Sequence, residues 1–334
     1  MIALTAVGPG PLVAQRATTA DEARRLISMI ADDSLQGRYT GSAGATMAAR
    51  IIAAQMRRAG LEPVGDDGFF QRVPIFAVAP ARPGALESPR LATDFAALDT
   101  VPATQRRNAV NVVGLLRGSD PLLRDEFVVV GAHYDHMGTN GARAVNGDSI
   151  FNGADDDASG VIAMLETARQ LAEGGAPRRS VLFVAFIGEE NGMTGTRWYL
   201  RNPVRPLANT VADLQIEMIG RPDSLAGGQG KAWLTGYERS SMGEMLSAAG
   251  VALIADPRPE QNFFRRSDNF PFAQQGIPAH TLSSFGGHTD YHQPSDEVGV
   301  MDFAHFAAVI NATAKAVRVI GNGAKPEWKP NGRP

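Results

Sequence analysis

Three stretches decide the fold: EFVVVGAH at residues 126–133, NGADDDASGVIAMLETARQLA at 152–172 and SVLFVAFIG at 180–188. The first and third are short runs rich in β-branched and aromatic residues and apolar nearly throughout, as strands covered on both faces must be. Between them an acidic loop opens into a helix predicted over Ala158–Ala172. Strand, helix and strand at this spacing form a βαβ unit and imply a parallel pair. The rhythm continues in both directions. NAVNVVGLL (108–116), TVADLQIEMI (210–219) and IPAHTLSS (277–284) read as further strands, and helices are predicted over Ser240–Ala249 and Phe303–Ile320. Upstream, TADEARRLISMIADD reads as a helix capped by Thr19, and GATMAARIIAAQMRRAGLEP as a second that stops at Gly60 and Pro63. Residues 74–107, rich in proline and alanine, predict a surface connection or a short hairpin. The expected fold is therefore α/β, one domain over residues 19–322 built on a mixed, mostly parallel sheet sandwiched between helices.

Composition limits what such a domain does. Of the 334 residues 44% are hydrophobic and 20% charged, enough apolar material for a sizeable core. The net charge of −3 comes from well-mixed signs without a basic run, so neither nucleic acid nor an anionic membrane is an expected partner. Cysteine is absent, which excludes disulfides, thiolate metal sites and a cysteine nucleophile. Any metal must be held by histidine and carboxylate. No run of 18 apolar residues predicts a membrane span. Met1 to Gln15 are mostly small and apolar and run into Arg16, as the end of an export signal would, though the basic leader is missing. Residues 1–18 are thus read as the remnant of an export signal (periplasmic or secreted protein) or a disordered terminus; a cytoplasmic enzyme is the alternative. Residues 323–334 are read as a solvated tail. The pattern is silent on oligomeric state.

The chemistry-bearing residues fall at strand ends. EFVVVGAH runs into His133-Tyr134-Asp135, placing an imidazole beyond the carboxyl end of a strand, where sites form in open α/β sheets. Asp135 is placed to accept the other ring N–H of that histidine and fix its tautomer. Asp155, Asp156 and Asp157 then open a helix. One acid in a first helical turn is an ordinary cap, but three together repel unless a cation compensates. SVLFVAFIG ends in Glu189-Glu190, a pair that suits one metal ligand and one unligated proton carrier. Glu217 ends the next strand, where an unpaired carboxylate would be costly. The loop Gly287 to Asp296 offers His288 and His292 as metal donors, and spacing alone does not separate them. His136, His280 and His305 are expected to be hydrogen-bonded structural residues.

Taken in order, HYD, GADDDASG, GEEN, the acid after a strand and YHQPSD resemble the bacterial leucyl aminopeptidase-like family of zinc exopeptidases. LQGRYTGSAG (35–44), NVVGLLRGSD (111–120) and RRSDNFPF (265–272) resemble family segments too. The resemblance implies the zinc exopeptidase (phosphorylase/hydrolase-like) fold and two zinc ions. It implies that His133 and Glu217 hold one ion, that Glu190 and His292 hold the other, and that Asp156 bridges them. His292 is thereby preferred to His288. Glu189 becomes the general base and acid, Tyr291 a donor to the tetrahedral oxyanion, and Arg266 a residue near the substrate. Glu217 departs from the aspartate many members carry, its arm one methylene longer.

A set of two histidines and three carboxylates suits zinc, with cobalt or manganese as substitutes, and not calcium or copper. The implied reaction is metal-assisted hydrolysis of a peptide with a free N-terminus, Glu189 passing a proton from water to the departing amine. Three other readings compete. A carboxypeptidase or dipeptidase needs a cationic pocket, for which Arg197, Arg265 and Arg266 are candidates. A cyclising transferase on this fold would hold a single zinc, and a non-enzymatic ectodomain would have lost ligands or the base.

Overall fold

A computed structural model describes residues 16–80 and 82–334. Its centre is a nine-stranded sheet made of β1 (Glu62–Pro63), β2 (Phe70–Arg72), β3 (Val110–Leu116), β4 (Phe127–His133), β5 (Ser180–Phe186), β6 (Thr210–Glu217), β7 (Ala232–Leu234), β8 (Leu253–Ala255) and β9 (Ala279–Ser283). The spatial order is β1-β3-β5-β4-β6-β9-β7-β8, with β2 also pairing to β3. The four central strands β5, β4, β6 and β9 are parallel, and β3 and β7 flank them antiparallel. All four central strands therefore deliver their carboxyl ends to one edge of the sheet.

Every residue of β4 and of β5 is buried. The pleat sorts their side chains into two cores. Val128, Val130, Val181, Phe183 and Ala185 join the larger one, while Val129, Leu182, Val184 and Phe186 face the smaller. The larger core is covered by α1 (Ala20–Ile27), α2 (Ala43–Arg58), α3 (Gly160–Glu173) and α7 (Phe303–Asn322). Tyr199 of α4 (Thr194–Arg201) and Phe272 of α6 (Asn269–Gln274) close the smaller. Of the other helices, α5 (Met242–Ala248) contributes Met242 and Leu246 to the larger core, and a single short turn of helix spans Phe95–Asp99. Thr19 caps α1 through a reciprocal capping box with Glu22, and the Ser42 side chain caps α2. By length and apolarity α7 could cross a membrane, but 61% of that window is buried, and its apolar stripe is the surface packed on the core.

Three expectations need correction or refinement. Residues 74–107, read as a surface connection or a short hairpin, form an antiparallel hairpin of Ile75–Val78 and Ser88–Leu91, widened to three strands by Arg106–Arg107. The last residues are not a free solvated tail, because the Trp328 ring packs against Phe264 and His280 and its indole N–H donates to the Gly276 carbonyl. An aromatic ring and a proline gave those residues something to bury. Thr18, assigned to the terminus, is buried in the domain, its N–H donating to Asn311. The reading of Met1 to Gln15 as a signal remnant lies outside the described residues.

Candidate dinuclear metal centre

Each candidate ligand reaches the sheet edge on its own element. His133 is the last residue of β4 and Glu217 the last of β6, while Glu189 and Glu190 follow β5 by three and four residues. Asp156 lies in the turn before α3, and His292 in the loop after β9. These side chains converge as two groups with Asp156 in common: His133, Asp156 and Glu217 in one, and His136, Asp156, Glu190 and His292 in the other. Asp156 faces both ways, Oδ1 lying 3.2 Å from His133 Nε2 and Oδ2 3.1 Å from His292 Nε2. Glu190 Oε1 is 3.2 Å from His292 Nε2 and 2.9 Å from His136 Nδ1. Glu217 reaches its group despite the longer arm. Glu189 belongs to neither group, and His288 is turned away onto Asp155 at 3.0 Å.

The turn before α3 explains why only the middle acid is presented. Asp155 Oδ1 accepts from the Gly220 N–H at 2.7 Å, and Asp157 Oδ1 accepts from Met218 and Gly160 at 3.1 and 3.0 Å. The outer acids thus tie the turn to the end of β6, which the sequence alone did not reveal. Gly153, at φ +53°, must be glycine, since a Cβ there would lie 2.5 Å from the His136 ring. Two further anchors went unrecognised. Asp296 accepts the N–H groups of Asp155 and Asp156 at 3.0 Å each. Arg38, fully buried, donates to the carbonyls of Ile30, Tyr134, Asn152 and Gly153. Burial lowers its guanidinium to about 10, so it stays charged. The LQGRYTGSAG and YHQPSD segments contain Arg38 and Asp296, but neither residue was given a role.

Asp135 works differently from expectation. His133 Nδ1–H points to the main-chain carbonyl of Asp135 at 3.1 Å, the carboxylate being 3.8 Å away. The carboxylate instead accepts from Thr40 Oγ1 at 2.8 Å and from the Glu189 N–H at 3.2 Å. It therefore fixes the segment that carries Glu189. His136 is the second correction. Expected as a satisfied structural histidine, it is fully buried in the second donor group, and neither ring nitrogen has a hydrogen-bond partner. His280 and His305 are hydrogen-bonded as expected, to Ser240 and Thr235 and to Ser284 and Gly230.

The electrostatics fit a cation. Burial opposes charge on His292, yet Asp156 and Glu190 beside it raise its imidazole to about 10. Burial and Asp156 push the Glu190 carboxyl up, but the imidazoles of His136 and His292 outweigh them and leave it at about 2. Burial raises Glu217 to about 7. Burial also holds Glu189 well above the usual carboxylate range, with Glu217, Asp268 and Glu190 adding to it against the pull of His133. His133 Nε2 and Glu190 Oε1 are buried without a hydrogen-bond partner. Orphaned nitrogen and oxygen donors facing a shared carboxylate are what two zinc ions would satisfy.

Beside these groups lies a small open pocket lined by Glu189, Glu217, Trp233, Phe263, Phe285 and Arg266, among others. Tyr291 stacks on His292 at 3.9 Å between ring centres, and burial together with the nearby acids keeps its phenol protonated. Arg266 sits over the Phe263 ring and approaches the Tyr291 hydroxyl at 3.5 Å. Of the three arginines considered for a carboxylate pocket, only Arg266 lines this cavity; Arg265 lies over Phe270, and Arg197 donates to the Gly192 carbonyl. Trp233, Phe263 and Phe285 come from a short strand, a 3-10 turn and a loop and carried no sequence signal.

A probable zinc metalloprotease of Pyrenophora teres f. teres is 34% identical over 137 residues, 39% of this chain and 28% of that protein. The leupeptin-inactivating enzyme 1 of Streptomyces exfoliatus is 26% identical over 181 residues, 54% of the chain and 36% of that protein. The chain thus matches about a third or less of the length of these relatives. Among solved structures, the zinc aminopeptidase of Bacillus subtilis superposes with a TM-score of 0.67 at 17% identity, over 91% of this chain and 96% of that one. Porphyromonas gingivalis glutaminyl cyclase gives 0.63 at 17% identity, over 91% and 99%. At these identities the likeness is one of fold, and the fold serves both. The sequence pattern of peptidase family M28 matches residues 111–317, a span that takes in both donor groups, and on that match the chain belongs to peptidase family M28.

Proposed function

We propose that the protein is a di-zinc aminopeptidase that removes N-terminal residues from peptides. The observation that carries this reading is the pair of donor groups sharing Asp156, with the unligated Glu189 beside them at the mouth of an aromatic-lined cavity. His133, Asp156 and Glu217 would hold one ion, and Asp156, Glu190 and His292 the other. When bound, the ions supply Lewis acidity and a water acidified toward a pKa of about 7.

The chain's own residues do the rest. Glu189, its carboxylate held high by burial, takes a proton from the attacking water and returns it to the departing amine. Asp135 holds the Glu189 main chain in place. Tyr291, with its phenol protonated, donates to the oxyanion that develops on the scissile carbonyl. Trp233, Phe263 and Phe285 would receive an apolar first side chain. The acids Asp156, Glu189 and Glu217 lining the same cavity favour a protonated amine there. Arg266 is the one observation favouring a carboxypeptidase or dipeptidase, since it brings a guanidinium to that lining. Export of the protein belongs to the same proposal and rests only on the apolar N-terminal residues.

Rates on leucyl- and phenylalanyl-nitroanilide against their N-acetylated forms test the assignment. Cleavage that depends on the free amine supports it. Faster release of a C-terminal residue from N-blocked peptides would replace it with the carboxypeptidase reading.

A further inference from the structure

His136 is a buried side chain at the site that the proposed reaction does not use. It follows β4 on the same strand-end as His133, three residues on. Its side chain is fully buried, and both ring nitrogens lack a hydrogen-bond partner among the described residues. Its Nδ1 nonetheless lies 2.9 Å from Glu190 Oε1 and 3.8 Å from Asp156 Oδ2. Proximity without hydrogen-bond alignment means that nitrogen and oxygen are not aimed at each other. His133 Nε2 shows the same signature, 3.2 Å from Asp156 Oδ1 and without a hydrogen bond. A buried imidazole left so is unfavourable unless something else takes its lone pair. His136 Nδ1, His292, Glu190 and Asp156 offer donor atoms all within 4.8 Å of one another.

We propose that His136 is a fourth protein donor to the ion held by Asp156, Glu190 and His292, making the two metal positions unequal. The inference rests on the dinuclear reading above and goes beyond it. Four protein donors would complete the ligand set of one zinc ion, as in structural zinc sites, whereas His133, Asp156 and Glu217 would leave the other ion with a place for water or substrate. The four-donor position then binds more tightly and fills first.

The test is zinc titration of the metal-stripped full-length chain in competition with a chromophoric chelator, for wild type, H136A and H136N. Asparagine places an N–H close to where Nδ1 stands and can prop Glu190, but is a poor zinc ligand. Circular dichroism of each stripped variant establishes that it is folded. The expected result is two ions in wild type, and in both variants one position weakened by more than about 100-fold, beyond the roughly 10–100-fold that loss of a neighbouring hydrogen bond costs. Cobalt substitution should show the matching loss of one nitrogen donor in the visible spectrum. H136N binding both ions as wild type does would overturn the inference while leaving the dinuclear reading intact. A folded wild type without stoichiometric zinc would overturn both.

Discussion

Asp135 shows how far a role can be read from residue type and spacing. Its position two residues after His133 suggested that its carboxylate orients the imidazole, yet the main-chain carbonyl makes that contact and the carboxylate holds Thr40 and the Glu189 N–H. D135N keeps the carbonyl and replaces one acceptor oxygen with a donor. It should therefore retain zinc while lowering kcat roughly 10–100-fold through a misplaced Glu189, with KM little changed. Metal content measured beside steady-state rates checks this, and loss of zinc would show that the carboxylate holds His133 after all. Local pattern placed His133 and Glu217 at strand ends, an acidic turn before a helix and an acid pair after a strand, whereas the choice of Asp156, Glu190 and His292 within those segments came from the family resemblance; the structure brings all five side chains together. Arg38, Thr40 and Asp296 were not assigned roles, since their partners are backbone groups and side chains distant in sequence. His136 was misread because a histidine one residue past a plausible orienting acid looks the same whether it faces the core or the cation.

At the scale of elements, β3 and the four central strands were readable from short, largely apolar runs, as burial on both faces requires. The edge strands β1, β2, β7 and β8 were not, being two or three residues long and defined by their pairing. The C-terminal segment was misjudged for a similar reason: its glycines, prolines and lysines suggested solvent, but Trp328 needs a surface to cover. That surface includes His280 on β9, whose Nδ1–H donates to Thr235 O and whose Nε2 accepts from Ser240. Burial lowers the His280 imidazole to about 4. Between that value and the unfolded value of about 6.5 only the unfolded chain binds the proton, so the stability contribution is whole above pH 6.5 and falls as pH drops toward 4. The loss should total about 3 kcal/mol. Urea unfolding of wild type and H280N across pH 7.5 to 4.5 checks it: wild type should lose stability faster on acidification, and parallel curves would contradict the assignment.

For the whole molecule, four parallel strands bring acids and imidazoles from separate parts of the chain to one edge, where burial without a cation is unfavourable. Two ions would tie together the ends of β4 and β6, the turn before α3, the segment after β5 and the loop after β9. Chelation should accordingly lower the thermal unfolding midpoint and added zinc restore it, each ion contributing about 2.7 kcal/mol when free zinc is 100 times its dissociation constant. An unchanged midpoint in calorimetry would mean that no ion bridges these elements. The α/β architecture and the edge that carries the site followed from the sequence, whereas the cavity walls, assembled from Trp233, Phe263 and Phe285, depended on loop conformations that local pattern does not encode. The central claim is that this edge is a dinuclear zinc centre in which Glu189 carries the proton without holding metal. The most direct measurement is zinc per chain together with peptidase turnover in wild type and E189Q. The account predicts about two zincs in both proteins and a loss of kcat on the order of 10²–10⁴-fold in the variant. Two zincs in the wild type with turnover preserved in E189Q, or zinc lost with the glutamate, would contradict it.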